Sequence, residues 1–505
     1  MMRRSSRAAL TALTALVGLS ACSLEPHFSR PQAAVPSGWP AGDAYLRQNE
    51  AGLSSLSYRD VFHDPNLQAI IGQALAGNQD LRAALGNVAV ARSQFRVQRA
   101  EILPDIAGSA GATTRQNPET GQNVVNQGGD RTRTTYQLQG GTTAWEIDLF
   151  GRLRSLSNSA FDTYLGQAAA ARAVRLTLVA DIANAYLQLA SDRSLLAIAV
   201  DTEKSAGASV DLTKARLDGG VAPRSDLRQA QTILATARAD RASLTARIAQ
   251  DRNALELLVG GPVADGLLPP TIEAVDERVG LVPAGLDSSI LLRRPDVVQT
   301  EYQLRAANAR IGAARAAFLP RISLTGLAGV TSTALSALFT GGAFTWSVAP
   351  SATLPIFDGG ANAGNLAFAR AEREVALANY QRAIQTAFRE VADALARGGT
   401  IDEELAANQL NVDAAADTFA LGQARYREGI DPYLLTLDAQ RTLYNARRTL
   451  AVSRLTRAQN RVETYRSLGG DQLLADLPGT VAAREALVAG SESGPARAVG
   501  RDRVR

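Results

Sequence analysis

The side chains able to do chemistry are few in this 505-residue chain, and their spacing excludes most of it. His27 and His63 are the only histidines, and neither has a second ligand-type residue placed to help hold a metal. No P-loop and no Gly-x-Ser-x-Gly elbow occurs, so phosphate cradling and acyl transfer have no visible seat. Carboxylates are scattered along helical faces, as on solvated surfaces. An enzyme is not expected, nor any direct use of ATP. The one reactive candidate is Cys22, the only thiol, which closes the run Leu19-Ser20-Ala21-Cys22.

The residues around Cys22 say what that thiol would do. Arg3, Arg4 and Arg7 form a basic start, Ala8–Gly18 is apolar, and small residues precede Cys22. Residues 1–21 read as a lipoprotein signal peptide. Cleavage before Cys22 would leave its thiol to carry a diacylglycerol, the only covalent group expected; an incidental cysteine in a plain signal peptide is the alternative. Ser23 is not an aspartate, so no inner-membrane retention signal is apparent. The three arginines carry most of the +4 net charge, so the exported chain is nearly neutral and no nucleic-acid partner is implied. After Cys22 there is no apolar run of 18 or more residues, so any membrane crossing must use strands. Residues 22–60, with Pro26, Pro31, Pro36 and Pro40, read as a lipid-anchored extended tether and not as a packed element.

The elements that organise the rest are two helical hairpins with matching tips. In Ala424–Arg441, Gly429 suits a helix C-terminus needing positive φ, and Pro432 suits the first turn of the next helix. Ala215, Arg216, Gly220, Pro223, Ala230 and Gln231 match Ala424, Arg425, Gly429, Pro432, Ala439 and Gln440 without a gap, 209 residues apart. Asp80, Ala91, Ala100, Leu103, Pro104 and Ile106 recur 216 residues later, from Asp296 to Ile322. Leu149-Phe150 answers Ile356-Phe357, and Gly260-Gly261 answers Gly469-Gly470. Each half is one unit of helix, Leu-Pro, two strands and a helical hairpin.

After each Leu-Pro the apolar period changes from helical to twofold. Phe344, Trp346, Val348, Pro350, Ala352, Leu354 and Ile356 alternate with small or polar residues; the partner near 134–150 alternates less cleanly. Strands are expected near 105–116, 134–150, 321–332 and 343–357, with a Gly- and Asn-rich loop at 117–130. A soluble sandwich would use the same alternation, but these segments supply no second apolar face, which favours a membrane β-barrel wall. Four strands cannot close a barrel of about eight or more, so copies of the chain must pool strands.

Between strands and tips the chain is helical. Residues 152–217 make a rod on the order of 100 Å, with a seam at Val179, Ile182, Tyr186, Leu189 and Leu196; the last helix has Leu455, Ala458, Val462 and Tyr465. Seams this narrow fit a helix wet on two sides, in a water-filled tube or a coiled-coil rod. The expected organisation is repeat 1 over 61–261 (hairpin 152–258), a linker or equatorial region over 262–295, repeat 2 over 296–470 (hairpin 360–468), and a disordered tail over 471–505.

Four stretches resemble the TolC-like outer-membrane factor family, and within it the lipid-anchored efflux channels. They are Asp64-Pro65-Asn66-Leu67 with Asn78-Gln79-Asp80-Leu81; Trp145–Arg152; Leu292-Arg293-Arg294-Pro295-Asp296-Val297 through Phe318–Leu324; and the tip Tyr426–Arg441. The resemblance spans roughly residues 20–475. It implies a mainly α fold with membrane strands: a homotrimer with a 12-stranded β-barrel continued by a 12-helix periplasmic α-barrel. Its partners would be outer-membrane lipid, a periplasmic adaptor (membrane fusion) protein, and an inner-membrane proton-driven pump of the resistance-nodulation-division type. Drugs and other toxic small molecules would pass through it to the exterior.

The resemblance also implies a periplasmic gate at Leu434 and Asp438, with Arg441 one turn on and Tyr426 on the opposite arm. A leucine ring excludes water, an aspartate ring repels anions, and tyrosine and arginine can latch neighbouring hairpins. Asp438 and Arg441 could instead be an ordinary surface pair. The first-half twin has Ser225 and Gln229 at the gate positions, so only one hairpin would gate. Gly219, Gly220, Pro223, Arg224, Ser225 and Asp226, with Gly429, Asp431 and Pro432, are candidate adaptor-contacting tips. Two other readings stay open: a structural periplasmic coiled-coil lipoprotein or adaptor without a pore, and a duct for protein or peptide secretion.

Overall fold

The computed structural model describes residues 23–32, 35–40, 42, 44–45, 57–116, 132–282 and 288–470. Cys22, the loop at 117–130 and the tail at 471–505 lie outside the described residues. The duplication is visible in element lengths. Helix α1 (Pro65–Gly77) precedes α2 (Gln79–Ala100), strands β1 (Ala107–Gln116) and β2 (Thr132–Glu146), and helices α3 (Arg152–Asp218) and α4 (Arg224–Val259). The second repeat runs α5 (Pro295–Ala316), β3 (Arg321–Ser332), β4 (Phe344–Thr353), α6 (Ala361–Arg427) and α7 (Tyr433–Ser467). Both α2 and α5 have 22 residues, and both α3 and α6 have 67, which corresponds to about 100 Å of rise each.

The chain divides into two compact units. The first holds Met1–Pro31, Val88–Gly166 and Thr300–Tyr380, and with them the sheet. Its strands run in the order β1-β2-β3-β4, every neighbour antiparallel. The register sorts side chains onto two faces. Phe344, Trp346 and Val348 share one face with Ala328, Val330, Tyr136, Leu138, Ala110 and Ala112. Ser347 and Ser351 share the other with Ser323, Thr331, Gln137, Gln139, Ser109 and Thr113. A bulge between Thr142 and Trp145 changes the parity of β2, so that Trp145 pairs with Leu324 on the apolar face and Glu146 with Ser323 on the polar one. This is why β2 alternates less cleanly than β4. Among the described residues the apolar face is uncovered, with Trp346 70% exposed, and neither β1 nor β4 has a partner on its outer edge. Strands β2 and β4 stop at Glu146 and Thr353, short of the expected 150 and 357.

The N-terminal residues differ from the expected free tether. Residues 24–30 run antiparallel along α5: Leu24 O accepts from Arg315, Pro26 O from Asn308, the Arg305 guanidinium lies 4.8 Å over Phe28, and Arg30 pairs with Glu301 at 2.8 Å. A proline-rich strand has no internal hydrogen bonds, so its carbonyls are free for side-chain donors. Gly312 gives the room, since a Cβ there would sit 2.8 Å from Glu25 Cα.

The second unit holds Gln32–Asn87, Gln167–Gln299 and Gln381–Arg505, and in it both hairpin tips. Val179, Ile182, Tyr186 and Leu189 of the expected seam are buried and Leu196 is half-buried. Ala180, Ala183, Leu187, Ala190 and Leu195 are buried too, so this part of α3 is packed over more of its surface than the narrow seam implied. Leu455, Ala458, Val462 and Tyr465 of α7 are buried. Trp39 is buried and stacks on Phe388 at 5.3 Å, so residues beyond the first strap are packed too. The segment expected as a linker is also built in: Val263, Leu268, Ile272, Val275 and Val279 are buried, and Val279 bridges to Phe62. Arg294 is buried and donates to Asp296 at 2.7 Å, to Glu390 at 2.8 Å and to the Ser467 carbonyl at 2.7 Å. It thereby ties the start of α5 to the end of α7. Burial opposes the Asp296 carboxylate, yet Arg294 holds its pKa below the usual range.

Candidate functional site

The two hairpin tips are built alike. Gly220 and Gly429 have φ of 77° and 76°, and each closes its helix with the same backbone bonds. Val221 N donates to Arg216 O and Ile430 N to Arg425 O, both at 2.9 Å, which satisfies carbonyls the helix end would leave open. Pro223 and Pro432 then cap α4 and α7 in extended conformation, one residue outside the helix and not within its first turn. The second turn is braced by Arg425, which holds Asp431 through two bonds of 2.6 and 3.0 Å. That hydrogen-bonded guanidinium lowers the Asp431 pKa.

Behind the tips lies a small core of Ala206, Ala230, Ile233, Tyr426, Tyr433 and Leu437. The rings of Tyr426 and Tyr433 meet at 5.2 Å. Arg216, from the first hairpin, stacks its guanidinium 4.6 Å above the Tyr426 ring and donates to the Tyr426 carbonyl. The charge therefore sits on the C-terminal end of α6, where the helix dipole favours it. Further contacts join the hairpins: Gln440 to Ser205 at 3.0 Å, and Tyr444 to Asp240, with Arg448 over the Tyr444 ring at 5.2 Å. Burial, then the Asp240 hydrogen bond, pushes Tyr444 up to about 12; burial chiefly does the same for Tyr433, to about 12.

Leu434, Asp438 and Arg441 lie along one exposed face of α7, beside the buried face of Tyr433, Leu437 and Gln440. Among the described residues neither Asp438 nor Arg441 has an ion-pair partner, so they do not form a surface pair with each other. Arg441 lines a cleft of about 330 Å³ between α4 and α7, with Gln229, Thr232, Leu437 and Arg448. Tyr426 is not with them: it is buried, and its arginine partner is Arg216, not Arg441. Of the candidate tip residues, Gly219, Gly220, Pro223, Arg224, Ser225, Gly429 and Pro432 are exposed, and Asp226 and Asp431 are half-buried. Sequence reasoning aligned Arg216 with Arg425 as a repeat partner but assigned it no role. Its contact spans 210 positions, and no local spacing announces it.

Comparison with known proteins gives this arrangement its context. A family profile described as outer membrane efflux protein matches residues 70–261 and 286–470, one segment for each repeat. The chain belongs to the outer membrane efflux protein family. It is 41% identical over 459 residues to the solvent efflux pump outer membrane protein SrpC of Pseudomonas putida, covering 90% of this chain and 97% of that one. Among solved structures, a membrane protein from Pseudomonas aeruginosa is similar at TM-score 0.83 and 36% identity, covering 91% of this chain and 100% of that one. The open state of the MtrE outer membrane channel of Neisseria gonorrhoeae is similar at TM-score 0.79 and 33% identity, covering 89% and 98%. The chain is thus an outer-membrane efflux protein of TolC-like fold with two repeats, and not an enzyme. Membership of a channel family also sets aside a pore-free spacer or adaptor.

Proposed function

We propose that this protein is the passive exit duct of a tripartite efflux pump, conducting small toxic compounds to the exterior, and that three copies form it. The two-faced sheet with two open edges carries the reading. An apolar face needs lipid, a polar face needs water, and unpaired β1 and β4 need further strands. Pairing β4 of one copy with β1 of the next closes a twelve-stranded wall. Solvent-like cargo is supported by the relative named for solvent efflux.

In this reading Leu434 and Asp438 narrow the periplasmic end as rings, and Arg441 latches the hairpin to its neighbour. The exposure of all three, and the lack of a described partner for the two charges, support a role between copies. The exposed tips meet the periplasmic adaptor, an inner-membrane resistance-nodulation-division pump supplies the energy, and lipid on Cys22 tethers the chain to the outer membrane. Single-channel conductance in planar bilayers tests the duct and its gate. Wild type should show small, flickering conductance, and Asp438→Ala with Arg441→Ala a larger, steadier one. Equal conductance would remove the gate and keep the pore; none from folded, inserted protein would remove the duct.

A further inference from the structure

The sheet carries one arrangement that strand pairing alone disfavours. Arg115 on β1 and Arg133 on β2 are direct cross-strand partners, both exposed. Like charges placed opposite each other destabilise a strand pair. They form the last pair but one before the β1–β2 loop, at the end of the strands away from the helices. Their parity puts them on the polar face, in line with Thr113, Thr135 and Gln137. The other charges on the described strands are at the opposite end, where Glu146 is already engaged by Arg152 at 2.7 Å and Arg321 at 3.3 Å. No strand carboxylate among the described residues is therefore left to neutralise Arg115 and Arg133.

We propose that Arg115 and Arg133 form an anion-recognising ring at the outer mouth of the duct, selecting for or transiently holding phosphate- or carboxylate-bearing solutes as they leave. The inference rests on the duct reading, in which the polar face lines the lumen. Two arginines from each copy then converge on one aqueous cross-section, and the repulsion between them is relieved by an anion between their guanidiniums. The sign is opposite to that of the Asp438 ring, so the two ends of the duct would discriminate differently.

The experiment is block of single-channel current by inorganic tripolyphosphate, added to each side in turn, in neutral-lipid bilayers. Wild type is set beside Arg115→Gln with Arg133→Gln, and circular dichroism melting confirms that the variant folds. Wild-type current should be blocked from one side only, and the double substitution should weaken block roughly tenfold or more. Raising salt should weaken wild-type block in the same direction. Conducting channels with equal block in both proteins, or with none in wild type, would overturn the arginine assignment alone. Unchanged block together with weaker retention of the variant on vesicles containing an anionic phospholipid would also overturn it, by placing the arginines against lipid phosphate. Absence of any conductance from folded wild type would overturn the duct reading and this inference with it.

Discussion

The contact between Arg216 and Tyr426 predicts how firmly the second hairpin is held shut against the first. A guanidinium over an aromatic ring contributes about 0.5 to 2 kcal/mol, and its charged hydrogen bond to a backbone carbonyl about 1.5 to 3. Arg216→Ala should therefore loosen the tip by about 3 kcal/mol, or roughly a hundredfold in the opening equilibrium. Arg216→Lys keeps the charge but loses the planar stack, and should fall between. Tyr426 separates ring from hydroxyl. Its buried hydroxyl has no hydrogen-bond partner among the described residues, while its ring touches both Arg216 and Tyr433. Tyr426→Phe should then be neutral or slightly stabilising, because an unpaired buried hydroxyl is removed. Tyr426→Ala should loosen the tip by about 3 to 5 kcal/mol. Amide hydrogen exchange over residues 424–441 reads the local opening, and bilayer open probability reads its consequence. If Tyr426→Phe opened the tip as far as Tyr426→Ala, the hydroxyl and not the ring would be the latch, and the reasoning would fail.

Other expectations follow from the same physics. Gly220→Ala and Gly429→Ala each force a side chain into the left-handed region and should each cost about 1 to 2 kcal/mol in thermal unfolding, by similar amounts because neither added Cβ would meet more than ordinary contact. Arg294→Met would remove the buried cation that Asp296, Glu390 and the Ser467 carbonyl share; a loss of about 3 kcal/mol should appear as a lowered Tm. Asp251 is raised to about 6 by burial and then by its contact with the buried Asp192, against the opposing charge of Arg247. A carboxyl whose folded pKa exceeds its unfolded value of about 3.9 holds its proton more tightly when folded, so this group favours the fold at low pH and loses that advantage as pH rises towards 6. Asp251→Asn should therefore raise the Tm at pH 7 to 8 and leave it nearly unchanged at pH 4, where Asp251 is already protonated.

What the sequence disclosed and what it withheld divide along a physical line. Periodicity exposed the strands and rods because side chains that share one face must repeat at the pitch of their own element. Phe344, Trp346 and Val348 do so at every second residue, and Leu455, Ala458, Val462 and Tyr465 at helical steps. The tips were legible because Gly220 and Gly429 solve a backbone problem that few other residues can solve. Contacts between elements distant in sequence left no such trace. Arg216 meets Tyr426, and Arg294 meets Glu390 and Ser467, through geometry that only the folded hairpins create.

The N-terminal strap was misread for the same reason. Pro26 and Pro31 do impose an extended chain, but extension says nothing of whether a surface lies beside it. That surface is α5, where Glu301, Arg305, Asn308 and Arg315 recur at helical spacing and Gly312 leaves a groove. Two residues of extended chain advance about 6 Å, as do four residues of helix. Phe28–Arg305 and Arg30–Glu301 keep that step, so a strand with no ladder of its own can be held in register by a helix. A proline-rich stretch should accordingly be judged against the donor spacing of every helix in the chain before it is taken for a free linker.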